Sequence, residues 1–180
     1  MNSKTSSIII DKSTGAPALV SIIIPCYNHE NFIERTLNSV IEDTYEHKEI
    51  IIINDGSTDN SDVKIQEWIA ALKQKESIRY INRPNKGICA TINEMLELAR
   101  GKYILPLASD DCLFGDTITR RVKILEERPD KYVLLNDAYV IDDAASVLLV
   151  MPPGDDLLPF VKTKLGIKDP APATTKPAGN

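Results

Sequence analysis

Residues 49–57 read Glu-Ile-Ile-Ile-Ile-Asn-Asp-Gly-Ser, four consecutive isoleucines followed at once by turn-forming residues. A short run of β-branched residues with no polar alternation is typical of a strand that is covered on both faces. Asn, Asp, Gly and Ser are the residues that tight turns favour. Strands covered on both faces occur in parallel sheets flanked by helices, so this stretch predicts an α/β fold.

The same alternation continues on both sides of this stretch. Upstream, a second apolar run at 19–24 is expected to end at Pro25. The predicted strands cover 19–24, 49–53, 78–81, 103–107 and 132–135, with a hairpin formed by 138–141 and 146–150. The predicted helices cover 31–42, 61–72, 87–100 and 116–128. This order predicts βαβ units and a mostly parallel central sheet with helices on both faces.

Capping residues predict where two of the helices begin, and the spacing of apolar residues predicts which side of the third helix is buried. Ser61 or Asp62 is expected to cap the second helix, and Asp116 the fourth. The buried stripe of the third helix is expected to consist of Ile88, Ile92, Met95, Leu96 and Ala99.

Composition, charge and cysteine spacing limit the classes of protein to which the chain can belong. The chain has 180 residues and a mass of 20.0 kDa, with 43% hydrophobic and 26% charged residues, a balance typical of one globular domain. The net charge of −5 argues against a nucleic-acid binder, which needs clustered Lys and Arg. No apolar run approaches the roughly 18–20 residues of a membrane span. Three widely spaced cysteines fit neither a disulfide framework nor a CxxC metal site, and they favour a reducing cytoplasm.

The sequence predicts three segments. Residues 1–18 are polar and small and are expected to form a flexible N-terminal arm. Residues 19–168 carry the alternating pattern and are expected to form the functional domain. Residues 169–180 contain three prolines among Ala and Thr and are expected to be a disordered tail.

Polar residues follow each predicted strand. These segments are 25–28 (Pro-Cys-Tyr-Asn), 54–57 (Asn-Asp-Gly-Ser), 83–87 (Arg-Pro-Asn-Lys-Gly) and 109–111 (Ser-Asp-Asp). In open α/β sheets, ligands bind outside the carboxyl ends of the strands. An aromatic ring there can stack on a base, a carboxylate can accept from a base or a ribose, and paired carboxylates can hold a hard divalent cation.

Each of these features also has a purely structural interpretation. Asp-Gly-Ser is most often a turn, Asp110-Asp111 can start a loop, and Tyr27 can be a packed ring. Cys26 is interpreted as a small core residue, and His29 and His47 as surface or capping residues. The sequence contains no GxGxxG, GxxxxGK[ST] or GxSxG motif, which argues against a dinucleotide-binding dehydrogenase, a P-loop NTPase and an α/β-hydrolase.

Four segments together resemble a known family. Residues 20–28, 49–59, 85–87 (with Asn93) and 101–111 resemble, in order and spacing, the signatures of family 2 inverting glycosyltransferases, which have the GT-A fold. The resemblance covers about residues 20–150. It implies a nucleotide-diphosphate sugar as donor, often a UDP-sugar, with Mg²⁺ or Mn²⁺ as cofactor. It also implies a saccharide or lipid-linked acceptor, polysaccharide or cell-surface glycan synthesis, and a cytoplasmic location, at the inner face of the membrane if the acceptor is lipid-linked.

The resemblance also assigns site residues by position. Metal binding would fall to Asp110 and Asp111. The nucleotide-sugar-binding residues would be Pro25, Tyr27, Asn28, Asp55, Gly56, Ser57, Asn85, Gly87 and Asp110. Pro25, Tyr27 and Asn28 would line the base pocket, and Asp55 would accept from the uracil ring.

Two departures from the family pattern leave an alternative open. Ala108 stands where the family often has an additional acid. No segment that would supply the catalytic base is recognisable, and none of the four later acids at 142, 143, 155 and 156 is assigned to that role. The alternative is a truncated copy that lacks the acceptor half, or a non-catalytic module that binds a nucleotide sugar or pairs with a partner protein supplying that half. A sugar-1-phosphate nucleotidyltransferase is disfavoured because the first loop is not glycine-rich.

Overall fold

The computed structural model describes residues 15–72, 77–128, 139–141 and 147–150. The chain divides into two compact units, Met1–Tyr132 and Val133–Asn180. The strands are β1 (Val20–Cys26), β2 (Lys48–Asp55), β3 (Ser77–Arg83), β4 (Tyr103–Pro106), β5 (Tyr139–Ile141) and β6 (Val147–Val150). The helices are α1 (Ile33–Glu42), α2 (Ser61–Ala71), α3 (Ile88–Leu98) and α4 (Thr117–Glu127).

The first unit contains a four-stranded sheet in the order β3-β2-β1-β4, in which every pair is parallel. This arrangement confirms the predicted α/β fold. In the second unit, β5 and β6 pair antiparallel, which confirms the predicted hairpin. The predicted strand at 132–135, residues 1–14 of the predicted arm and the predicted tail lie outside the described residues.

The isoleucine runs of β1 and β2 supply the core on both faces of the sheet. Alternate residues of a strand point to opposite faces. Ile22 and Ile24 therefore join one apolar cluster, which includes residues of α1, α2 and α4. Ile23 joins a second cluster on the other face, which contains Met95 of α3. Helices on both faces thus bury both sides of the central strands, as the unbroken isoleucine pattern predicts.

Pro25 does not end β1. The strand continues to Cys26, and Pro25 pairs in register with Ile53 of β2. Proline removes only one ladder donor and its fixed φ is compatible with extended backbone, so one further residue can still pair. Both central strands therefore reach two residues further toward the candidate site than the sequence predicts.

The predicted buried stripe of α3 is wrong in part. Ile88 and Leu96 are 59% and 45% exposed. Met95 is fully buried, as predicted, and Thr91, four residues earlier and outside the predicted stripe, is fully buried as well. The hydroxyl of Thr91 donates to the carbonyl of Gly87 at 2.9 Å, and this hydrogen bond offsets the cost of burying a polar group. Hydrophobicity alone therefore includes the exposed Ile88 and Leu96 in the stripe and misses the buried Thr91.

Of the predicted caps, Asp116 does occupy the N-cap position of α4, whereas the N-cap residue of α2 is Asn60 and not Ser61 or Asp62. Ser61 is the first residue of α2 and is buried, and its N–H donates to Asp59 Oδ1 at 3.0 Å. Asp116 precedes α4 but makes no capping hydrogen bond with its side chain, which instead accepts from Thr44 Oγ1 at 2.9 Å. Asp116 therefore joins the start of α4 to the segment after α1, whereas Asp59 binds the first N–H of α2.

Glu49, near the start of β2, joins this strand to β1 and to Arg100, which follows α3. Its carboxylate is buried and accepts from Ser21 Oγ at 2.6 Å and from the N–H of Arg100 at 2.7 Å. The guanidinium of Arg100 also donates to it, at 2.9 and 2.7 Å. Burial opposes ionisation, but these hydrogen bonds and the Arg100 charge outweigh it and hold the pKa of Glu49 below its ordinary value.

The substitution Glu49→Gln is expected to lower the free energy of unfolding by about 2 kcal/mol at pH 7, because it removes charge-assisted hydrogen bonds in a buried position. The folded pKa is lower than the unfolded one, so this contribution is present above the unfolded pKa and is lost as pH falls through the folded value. Urea unfolding at pH 7 and pH 3 would measure both effects. The exposed Glu67→Gln is the control, and a Glu49→Gln effect that is the same at both pH values would contradict this account.

Candidate functional site

A cavity of about 320 Å³ lies at the carboxyl ends of the parallel strands. It is formed where the segments that follow β1, β2, β3 and β4 come together, as expected for an open α/β sheet. Its lining residues are Pro25, Cys26, Tyr27, His29, Asp55, Asn85, Gly87, Ile88, Thr91, Ala108 and Ser109. Five of the residues that the resemblance assigned to the nucleotide sugar are therefore in its wall.

Tyr27 presents an open ring to this cavity. Its side chain is 49% exposed, so it is not the packed core ring of the alternative interpretation. Pro25 and Ile88 add apolar surface to the same wall, and Ile88 is also largely exposed. Exposed aromatic and aliphatic groups at a concave surface are suited to a flat, partly apolar ligand such as a nucleobase.

Asp55 is the most enclosed charged group of the site. It is 4% exposed and forms an ion pair with Arg83, whose Nη1 donates to Oδ1. The backbone N–H groups of Lys86 and Gly87 donate to its carboxylate at 2.8 and 3.0 Å. Burial acts to raise the pKa of Asp55, but the Lys86 N–H, Arg83 and Thr91 outweigh it and hold the pKa below its ordinary value. Asp55 is thus a fixed anion at the cavity wall.

Arg83 is not among the site residues predicted from the sequence, yet its side chain contacts several residues on this side of the site. Its guanidinium bonds Asp55, Glu94 (3.0 Å from Nε) and Thr91 (2.9 Å from Nη2). Asp55 and Arg83 are paired in register at the ends of β2 and β3. Opposite charges at matching ends of two adjacent predicted strands are the signal in the sequence that could have found this pair.

Gly56 serves the packing of the loops. Its φ is +73°, and a Cβ at this position would lie 2.5 Å from the backbone nitrogen of Asn85. Glycine therefore lets the segment after β3 lie directly against the turn after β2. Asn85 also donates from Nδ2 to the carbonyl of Asp55 at 2.8 Å, which closes this contact.

Asn28 and Ser57 connect the segments after β1 and β2 and do not line the cavity. The N–H of Asn28 donates to Ser57 Oγ at 2.9 Å, and Asn28 Oδ1 accepts from the N–H of Thr58 at 2.7 Å. Asn28 has a φ of +55°, in the left-handed region that asparagine tolerates better than most residues. These hydrogen bonds join the segment that carries Tyr27 to the segment that follows Asp55.

Asp110 and Asp111 are adjacent, exposed carboxylates directly after the cavity residues Ala108 and Ser109. Partial burial and the negative charge of Asp110 raise the pKa of Asp111 above its ordinary value. Across the described ranges, no group of three or more His, Cys, Asp and Glu side chains could hold a metal ion. Two carboxylates nonetheless fit Mg²⁺ or Mn²⁺, because such ions are often held by one or two carboxylates together with substrate phosphates and water.

His29 and Cys26 also line the cavity, although the sequence predicts only structural roles for them. His29 is interpreted there as a surface or capping residue, but its ring is half-buried in the cavity wall with Nδ1 2.6 Å from Ser109 Oγ. Cys26 is 1% exposed, which agrees with its interpretation as a small core residue. Burial raises the pKa of the Cys26 thiol, and hydrogen bonds from Ser61 and Ser109 offset this only in part, so the thiol is poorly suited to nucleophilic chemistry.

The model of glycosyl transferase family 2 matches residues 21–160, which include every element that builds the cavity. The chain belongs to this family. A glycosyltransferase of Rickettsia felis, described as uncharacterized, is 33% identical over 150 residues, which are 83% of this chain and 24% of that protein. The hyaluronan synthase of Pasteurella multocida is 37% identical over 110 residues, which are 61% of this chain and 11% of the synthase.

Solved structures confirm the predicted GT-A type of fold for this family 2 chain. The crystal structure of S. aureus TarS 1–349 in complex with UDP-GlcNAc is 27% identical and has a TM-score of 0.55. The matched region covers 62% of this chain and 32% of TarS 1–349. The chain thus spans 24% of the Rickettsia felis protein and 32% of TarS 1–349. In the part of the chain that is described, no helix is long and apolar enough to cross a membrane.

Proposed function

We propose that this family 2 chain binds a nucleotide-diphosphate sugar, of the UDP-sugar class, with the base in the cavity and the diphosphate beside Asp110 and Asp111. The sugar is transferred with inversion to a saccharide or lipid-linked acceptor during polysaccharide or cell-surface glycan synthesis. The three cysteines are free, which supports a reducing cytoplasm as the location, at the inner membrane face for a lipid-linked acceptor.

The observation that carries this proposal is the ionised Asp55 beside the open ring of Tyr27 in one cavity. An ionised carboxylate only accepts hydrogen bonds, so it favours a base that presents a donor on its ring edge, such as the imide N–H of uracil. The ring of Tyr27 offers a stacking surface for the face of that base. The complex of TarS with UDP-GlcNAc supports the choice of uridine.

The acidic pair supplies the part of the site that faces the diphosphate. Two carboxylates next to a diphosphate repel it unless a cation lies between them. Mg²⁺ or Mn²⁺ held by Asp110 and Asp111 would supply Lewis-acid stabilisation of the diphosphate as it leaves. Asp111, whose pKa is raised by partial burial and by Asp110, gains most from such a cation because the like charge beside it is offset.

The proposal assigns no catalytic base. An inverting reaction needs a general base that takes the proton of the acceptor hydroxyl on the face opposite the leaving group. The acids at 142, 143, 155 and 156 lie outside the described residues. Five residues of the cavity wall are therefore proposed to bind and orient the donor: Pro25, Tyr27, Asp55, Asn85 and Gly87.

A panel of UDP-, GDP-, ADP- and CDP-sugars tests the proposal. Thermal unfolding with each compound, with and without Mn²⁺, is expected to show the largest stabilisation for a UDP-sugar with metal, because a ligand that binds only the folded state raises its stability. Release of UDP in the presence of saccharide acceptors then tests transfer. Stabilisation without release would support a binding module in place of an enzyme, and no stabilisation by any compound would refute the proposal.

A further inference from the structure

One hydrogen bond joins the segment after β1 to the acidic loop, defined here as residues 108–111. His29 Nδ1 lies 2.6 Å from Ser109 Oγ, although the two residues are 80 positions apart in the chain. Ser109 is 2% exposed and His29 is half-buried, so water has little access to this bond. Shielded hydrogen bonds are electrostatically stronger than exposed ones. The bond therefore fixes the residue that directly precedes Asp110.

His29 is itself held firmly by both of the helices that begin nearby. Its N–H donates to Ser61 Oγ of α2 at 3.0 Å. Its carbonyl accepts from the N–H groups of Phe32 and Ile33 at the start of α1, both at 3.0 Å. The edge of its ring also packs against Phe32, with ring centroids 6.0 Å apart. His29 is thus held in place by α1 and α2, and its imidazole can fix the position of Ser109.

The main chain of Ser109 is fixed separately. Thr36 Oγ1, which is buried on α1, donates to the carbonyl of Ser109 at 2.9 Å. The N–H of Asp111 donates to the carbonyl of Ala108 at 3.1 Å and closes a tight turn. The position of the acidic loop is therefore set at Ser109. The side chain of Ser109 is held by His29, and its carbonyl is held by Thr36.

Asp110 and Asp111 are exposed like charges within this loop, and they favour any motion that separates them. We propose that His29 is a positioning residue that, through Ser109, holds Asp110 and Asp111 in the arrangement that binds a divalent cation. This inference rests on the proposed function, since it concerns the same metal-binding pair. His29 acts through Ser109 and is not proposed to touch the metal or the donor.

Hydrogen exchange in the 180-residue chain, without ligand or metal, tests the structural half of this proposal. His29→Ala and Ser109→Ala are each expected to speed exchange of the Asp111 amide by about 10-fold, because the turn opens more often. His29→Asn is expected to restore slow exchange, since its side-chain amide reaches about as far as Nδ1. The exposed His47→Ala is the matched control. Exchange at Asp111 that is unchanged in both alanine variants would overturn the role of His29.

Calorimetry with UDP-GlcNAc tests the functional half. With Mn²⁺, His29→Ala and Ser109→Ala are each expected to bind about 10-fold more weakly, as for other groups that orient metal ligands. Without metal their affinity should equal that of the unsubstituted chain. The double variant should lose no more than either single one, because both remove the same bond.

The outcomes separate this inference from the function on which it rests. Equal losses with and without Mn²⁺ would mean that His29 acts on the cavity directly, and additive losses would mean that the two residues act independently. Either result would overturn the positioning role. No metal-dependent binding by the unsubstituted chain would instead refute the proposed function, and the metal-positioning role with it. Melting temperatures of all variants control for general destabilisation.

Discussion

Replacing Asp111 with asparagine is expected to weaken binding of UDP-GlcNAc in the presence of Mn²⁺ by about 100-fold, because a metal-binding carboxylate becomes a neutral amide. The same change relieves the repulsion from Asp110, so the ligand-free chain should keep or gain thermal stability. Calorimetry and thermal unfolding of the same preparation would measure these opposite effects.

Glu127→Gln is the matched control for Asp111→Asn. It removes one negative charge from an exposed position at the end of α4, outside the cavity wall. Donor affinity of this variant should equal that of the unsubstituted chain. If Asp111→Asn also retained full affinity with Mn²⁺, the acidic pair could not be the metal site.

Asp55→Ala is expected to lower the free energy of unfolding by about 3 kcal/mol, because it removes one of the two carboxylates that pair with the buried guanidinium of Arg83 and leaves only that of Glu94. Both side chains of this ion pair are less than one-tenth exposed, at 6% for Asp55 and 9% for Arg83. The backbone N–H groups of Lys86 and Gly87 also lose their acceptor. Chemical denaturation at pH 7 would measure the loss.

Lys86→Ala provides a control within the same segment. Lys86 also forms an ion pair, with Glu94 at 3.3 Å, but its side chain is 56% exposed. Exposed pairs contribute less than about 1 kcal/mol, so this variant should be close to the unsubstituted chain. Similar losses for Asp55→Ala and Lys86→Ala would show that Asp55 is not the buried anion described above.

The central strands were predictable because a local run of apolar residues is enough to specify them. The isoleucines of β1 and β2 predict strands covered on both faces, and the two apolar clusters confirm this. Parallel strands bring their carboxyl ends to one edge, which is why the sequence alone is enough to predict that Tyr27 and Asp55 share one site. The position of the site thus follows from the order of the elements.

The contacts between loops were not predictable in the same way. Asn28 and Ser57 have the residue types of ligand-binding groups, but their hydrogen bonds join two loops. The bond between His29 and Ser109 spans 80 residues and depends on the placement of α1 and β4. Such pairings follow from three-dimensional packing, and no local pattern encodes them. The unpredicted burial of Thr91 on α3 has the same origin, because its hydroxyl is bonded to Gly87, the N-cap residue of α3, and to Arg83 at the end of β3.

We propose that this glycosyl transferase family 2 chain holds a UDP-sugar through Asp55 and a divalent cation through Asp110 and Asp111. Calorimetric titration of UDP-GlcNAc into the chain, once with Mn²⁺ and once with EDTA, measures both interactions together. Binding is expected to be at least about 10-fold tighter with Mn²⁺, since the cation offsets the repulsion between the acidic pair and the diphosphate. Equal affinity under both conditions would contradict it.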